Sequence, residues 1–341
     1  MNVSIRNSVA RAAYSAFMSA AKSSDQRGDA TGFAAKAFPG DRITQEILLR
    51  GATGPLTTGD ATQISETVGA FIGGLAPLSA AARLMARGLP ISLTSRASVA
   101  IPYRTGRAAL TWVGEGEAIP VKSYALSASR VGPLKKIAGV TVHSREFSRS
   151  TSAAPIFERL LREDAADALD VAVFGSTAAS DIAPAGLLDG VTPLPATVGG
   201  GLAAMEGDLI ALSAAVTTAG AQTVVIVTTP ELAATIKIRK PELADMVWPA
   251  LGLPAGRVVA IDPDAFAFAS GLVDIEASKS AVLHMDDEAP TQLSIAGSPN
   301  AVAAPARSMF QTDLIATRLI FDVSFAMRAP GLVAFIDGAA W

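Results

Sequence analysis

The chain has 341 residues, half of them hydrophobic, with 28 basic against 31 acidic side chains, two histidines and no cysteine. That length allows about two domains and a substantial core. The near-balanced charge, with only 17% charged residues, excludes a disordered tail and argues against a nucleic-acid reader with a strongly basic face; the missing cysteines exclude disulfides, thiolate catalysis and zinc–sulfur sites.

No uninterrupted apolar run reaches the roughly 20 residues that span a bilayer; the apolar excess is largely alanine. The start, MNVSIRNSVARAAYSAFMSAAKSS, carries Arg6, Arg11 and Lys22 before its first acid, Asp25, a composition shared with organellar transit peptides. The three- and four-residue steps of Ile5, Val9, Ala12, Ala13, Ala16, Phe17 and Ala20 favour a plain amphipathic helix instead. Residues 24–75, rich in Gly, Thr, Asp and Ala, read as an extended arm with a short helix near RITQEILLR.

A helix is predicted around residues 76–87, then a strand in RASVAIPYRT, then the segment TWVGEGEAIPVKS, then an alternating strand in RVGPLKKIAGVTVHS. Two strands flanking that segment make it a long hairpin-like excursion, with Gly114 and Gly116 allowing it to bend. From Ser152 as cap and Pro155 in the first turn, a helix of roughly 20 residues follows. Ile156, Phe157, Leu160, Leu161, Ala165, Ala168, Leu169, Ala172 and Val173 share its face, and Gly175 ends it. Beyond the linker VTPLPATVGGG, GDLIALSAAVTTAG reads as a helix closed by Gly220, TVVIVTT as a buried strand, and Thr229-Pro230 as the start of another helix. RVVAID and DIEASKSAVLHMD add strands, which places an inserted α/β lobe at about 195–295. The alternating FQTDLIATRLIFDVSFAMRAPGLVAFI predicts strands that return to the first lobe.

Chemistry is hard to find. There is no G-x-S-x-G, phosphate loop or dinucleotide fingerprint. His143 lies in an alternating strand and reads as structural. His284 stands near Asp286, Asp287 and Glu288, whose bunching fits a solvated acidic turn better than a metal site. Asp262 and Asp264 flank Pro263 in a turn, and as a hydrolytic carboxylate pair they have no further support. The expectation is a chain that is not an enzyme, with no cofactor, no metal and no membrane.

The order of features is more specific. A tryptophan–glutamate–proline segment between strands, then VGPLKKIAGVTVHSREF, a long helix ending in ALDVAVFGS, then PAGLL and the closing strands with Arg318 and Arg328–Pro330, resembles the major capsid proteins of tailed phages, the Hong-Kong-97-type fold, over residues 76–338. Phe321 and Asp322 depart from the basic character expected just after Arg318. The resemblance implies an α+β capsid fold with an N-terminal arm at 1–75 and a peripheral domain at 76–194 and 296–341. It further implies an extended loop at 103–131, a spine helix at 153–175 and an axial domain at 195–295. It implies a virion protein, assembled in the host bacterial cytoplasm, that forms homo-pentamers and homo-hexamers of an icosahedral or prolate head around double-stranded DNA. Its partners would be a portal protein, a possible scaffold and a decoration or cement protein. An encapsulin-like nanocompartment shell is the alternative.

In this light Trp112 is an anchor at a contact between subunits, with Pro120 beside it and Glu115, Glu117 and Lys122 as rim charges. The alternative places Trp112 in the core of its own hairpin. Residues 1–50 hold seven basic and four acidic side chains, so Arg6, Arg11, Lys22 and Arg27 make the arm a candidate for DNA contact without base reading. The isopeptide crosslink used by the type member of that family is not expected. No lysine lies between Trp112 and Pro120, and Lys122 and Asn300 are the remaining candidates.

Overall fold

The computed structural model describes residues 8–21, 30–41, 44–45, 47–48, 69, 72–93, 97–105, 112–118, 125–148, 153–283, 294–295, 301–302 and 307–341. The chain divides into two compact units, one of residues 1–74, 137–162 and 272–321, the other of residues 75–136, 163–271 and 322–341. Its elements mix helix and sheet. A four-stranded sheet has the order 89–90, 266–278, 314–327, 135–144.

In the first unit the N-terminal helix, Ser8–Ala21, buries Ala12, Ala13, Ala16 and Phe17 of the stripe that the spacing predicts, and Tyr14 in addition. Its partners are aromatic. Phe17 stacks on Phe157 of the long helix at 5.5 Å, while Tyr14 lies 6.0 Å from Phe33 and 6.4 Å from Phe38, both edge-on. Such offset and edge geometries are the favoured ones for aromatic rings. A buried polar knot holds the helix start: Asp41 accepts from the Ser8 hydroxyl at 2.9 Å, the Arg11 guanidinium at 2.9 Å and the Thr44 amide at 3.1 Å. Where described, residues 8–41 are therefore two packed helices, Ser8–Ala21 and Ala30–Ala37, rather than the extended arm expected from 24 onward.

In the second unit a sheet ordered 333–336, 258–261, 225–228, 247–249 is covered by helices Gly201–Thr218 and Pro230–Arg239. Every residue of 225–228, 258–261 and 333–336 is buried. That explains why these strands read as unbroken apolar runs instead of alternating. Met205, Leu212, Val216, Ile236, Val247 and Val258 fill the interior between helices and sheet. Thr229 occupies the cap position before Pro230, but its hydroxyl does not bond the helix.

Two boundaries differ from expectation. Val333–Ile336 pairs antiparallel with Val258–Ile261, so this strand completes the α/β lobe instead of returning to the first one. Conversely, Phe266–Ser278, expected inside the lobe, belongs to the other sheet and pairs with Leu89–Pro90. The physical reason is that 333–336 is apolar on both faces, and at the edge of the lobe's sheet Ala334 and Ile336 join the buried core that the helix Gly201–Thr218 covers.

The long helix spans Ala153–Val173. Phe157, Leu161, Ala166, Leu169 and Val173 are buried, while Ile156 and Leu160 are 43% and 45% exposed. The apolar face is thus wider than the strip that its own chain covers.

Candidate functional site

The excursion is built on a two-stranded antiparallel ribbon, Val99–Arg104 with Leu126–Val131, in which Val99 faces Val131 and Arg104 faces Leu126. Its base is anchored. Ile101 and Val131 are buried with Ala267 and Ala269, the Ser129 hydroxyl donates to the Met327 carbonyl at 2.7 Å, and the Gly132 amide donates to the Ser324 hydroxyl at 2.9 Å. The ribbon's outward residues are mostly exposed.

At the far end, residues 114–117 form a turn. The Glu117 amide donates to the Gly114 carbonyl at 3.2 Å, the Glu117 carboxylate accepts from the Gly114 amide at 3.3 Å, and Gly116 has φ +81°, which favours glycine. Trp112 stands just before this turn and is fully exposed. It is not packed into a core of its own hairpin, so that alternative is set aside. Glu115 and Glu117 are exposed beside it. Pro120 and Lys122 lie outside the described residues, as do Arg6, Lys22 and Arg27 of the arm.

Arg11 is not an open cation. Its side chain is 20% exposed, bonds Asp41, which is 4% exposed, and lies 5.1 Å from the Phe38 ring centre. The expectation of Arg11 as a DNA contact is corrected accordingly, because withdrawing it would leave a buried carboxylate without its cation.

Of the candidates for chemistry, His143, Asp262 and Asp264 have structural partners. His143 is packed among Phe147 at 5.2 Å, Phe157 at 5.2 Å and Phe17 at 5.8 Å, and burial lowers its pKa. Asp262 accepts from the Asp264 amide at 3.1 Å in a tight turn, and Asp264 takes Arg87 at 3.2 Å and Thr223 at 2.9 Å. Arg318 bonds Glu276 at 2.7 Å. Both side chains line a groove of about 560 Å³ in the first unit whose other walls are mostly alanine and aliphatic. Among the described residues no group of three or more His, Asp or Glu could hold a metal, and His284, Asp286, Asp287, Glu288 and Asn300 lie outside them. No helix among the described residues is long and apolar enough to cross a membrane.

Asp170 is the residue that the pattern hid. It is fully buried on the long helix, inside the apolar stripe between Ala166 and Val173. A carboxylate at a position where the periodicity demands an apolar side chain was the available signal.

Residues 70–287 match the family model described as the Phage capsid family. A curated relative, the Capsid polyprotein of Pseudomonas phage PAJU2, is 27% identical over 353 residues, covering 92% of this chain. This chain spans about half, 51%, of that relative's length. A solved structure from Mycobacterium phage Cain superposes with a TM-score of 0.51 at 14% identity, over 74% of this chain and 89% of the other. One from Microbacterium phage Oxtober96 also gives 0.51, at 15% identity over 76% and 90%.

Proposed function

The chain belongs to the phage capsid family and has its α+β, Hong-Kong-97-type fold, and from that premise we propose that it is the major subunit of a phage head, closing with copies of itself into pentamers and hexamers around double-stranded DNA. Its role is structural, and its place is the virion. The single observation that carries the reading is Trp112: a tryptophan fully exposed near the end of an anchored ribbon is the form that a hot-spot residue takes before its partner arrives.

In the shell, residues 103–131 serve as the extended loop that lies over a neighbouring subunit, with Trp112 as anchor and Glu115, Glu117, Pro120 and Lys122 around it. The helix Ala153–Val173 is the spine of a peripheral domain, and the lobe of residues 195–261 closed by 333–336 is the axial domain. The uncovered Ile156 and Leu160 of the spine suit burial against another copy. The arm lies inward, its DNA contacts resting on Arg6, Lys22 and Arg27 without Arg11. A portal protein is the further partner, with a separate scaffold or none to guide closure and a decoration or cement protein where the head carries one, and assembly takes place in the host cytoplasm.

The deciding experiment is Trp112→Ala. Because the side chain touches little in its own chain, the soluble subunit should unfold as the wild type does, within about 0.5 kcal/mol. Shell formation, followed by sedimentation and electron microscopy, should fail or weaken by about 2 kcal/mol per contact. Normal shells from this variant would remove the anchor reading.

A further inference from the structure

The excursion around Trp112 has a charge order of its own. Residues 96–136 hold seven basic side chains and two acidic ones, and both acids, Glu115 and Glu117, stand in the turn at the far end. The charged residues of the ribbon itself are cations only, Arg104 and Arg130. Its register puts Arg130 opposite Ala100, Ala128 opposite Pro102 and Leu126 opposite Arg104. These six residues are all exposed and share the face of the ribbon away from the buried Ile101 and Val131. The face is thus a floor of small and apolar side chains with a guanidinium at each of two opposite corners.

The turn carries the complement, one indole and two carboxylates. A tryptophan ring is the best partner for a guanidinium laid over its face, and alanine and proline leave room for such a ring to lie flat. The chain does not make this contact with itself, because Trp112, Glu115 and Glu117 are exposed and so is the ribbon face. Nucleic acid suits the excursion poorly, since the two carboxylates at its leading end repel phosphate.

We propose that the ribbon face of one copy receives the turn of the next, with Trp112 lying on Ala100, Pro102 and Ala128, and Glu115 paired to Arg130. This rests on the reading of Trp112 as an anchor between subunits, and it names the surface to which the anchor goes. Glu115 is the pairing carboxylate because Glu117 already accepts from the Gly114 amide at 3.3 Å. Arg130 is held in place by its neighbour Ser129, whose hydroxyl donates to the Met327 carbonyl at 2.7 Å. The two surfaces differ and belong to one chain, so the contact runs head to tail. Such a contact passes from copy to copy and closes a ring, as a pentamer or hexamer requires, whereas a self-matched patch would stop at a dimer.

Charge exchange on the full chain tests this. Analytical ultracentrifugation gives the concentration above which the chain sediments as rings or shells. Arg130→Glu and Glu115→Arg should each raise that threshold about tenfold or more, because like charges then face each other. The two changes together should return it to within about threefold of the wild type. Single variants that assemble as the wild type does, or a double variant no better than the worse single one, overturn the contact. If Trp112→Ala blocks assembly while both charge variants assemble normally, the anchor reading stands and the ribbon face is not its receiver; normal assembly of Trp112→Ala removes both. Normal shells of Arg130→Glu that retain less DNA assign the face to nucleic acid and overturn the contact too. Should Arg130→Glu not fold, Arg130→Ala and Glu115→Ala decide in its place, with losses that simply add in the double variant counting against the pair.

Discussion

The indole N–H of Trp341 donates to Asp208 at 2.8 Å, and the other oxygen of that fully buried carboxylate accepts from the Thr197 amide at 2.7 Å. Residues beyond the strand 333–336 thus bind the first helix of the α/β lobe. Trp341→Phe keeps most of the apolar contact and leaves Asp208 short of one donor. It should destabilise the chain by about 1–3 kcal/mol, read by denaturant unfolding, and a variant as stable as the wild type would show that water replaces the indole at no cost.

Arg11 and Asp41 make the second prediction. Arg11→Ala strands a carboxylate that is 4% exposed, and should cost about 3 kcal/mol, the lower end for breaking a buried pair, because Ser8 and Thr44 still donate to Asp41. The double change Arg11→Met with Asp41→Asn should cost less than Arg11→Ala alone. With the single changes Arg11→Met and Asp41→Asn measured beside it, losses that simply add would mean that the two side chains act independently.

His143 makes the third. Its folded pKa lies below the ordinary 6.5 because burial disfavours the imidazolium, so the unfolded chain binds more protons just below that pH. The stability from keeping this ring neutral is present above pH 6.5 and is lost as pH falls toward the folded value. Protection of the helix Ser8–Ala21, whose Phe17 packs on the ring, should fall in mild acid, and His143→Phe should remove the dependence. A helix equally protected from pH 7.5 to pH 5 in the wild type contradicts it.

Elements with one strong period were legible from composition and spacing alone. The helices at Ser8–Ala21 and Ala153–Val173 and the ribbon around Trp112 fall where the residues place them. Strand partnership was not legible: Phe266–Ser278 and Val333–Ile336 each look like apolar strand, and nothing local states which sheet receives them. The candidate contact site was readable in part. Trp112 beside bending glycines and acids signals an unusual tryptophan, whereas the commitment of Arg11 to Asp41, 30 residues away, arises only when the chain folds back. Asp170 was hidden for the same reason, since its four donors come from residues 79–81 and 251.

The pairing of Val333–Ile336 with Val258–Ile261 also fixes an order of events in time. On the ribosome, the helix Gly201–Thr218 and strands 225–228 and 258–261 emerge well before the segment that closes their sheet. Until that strand has left the exit tunnel, the 258–261 edge stands open, with unpaired amides and carbonyls flanked by buried-type side chains, a template for adhesion to other nascent chains. A polysome crowded with copies of the same nascent chain is where such an edge does most harm. Slow translation between residues 262 and 332 would therefore lower the yield of soluble subunit, even though every residue of the finished protein is unchanged.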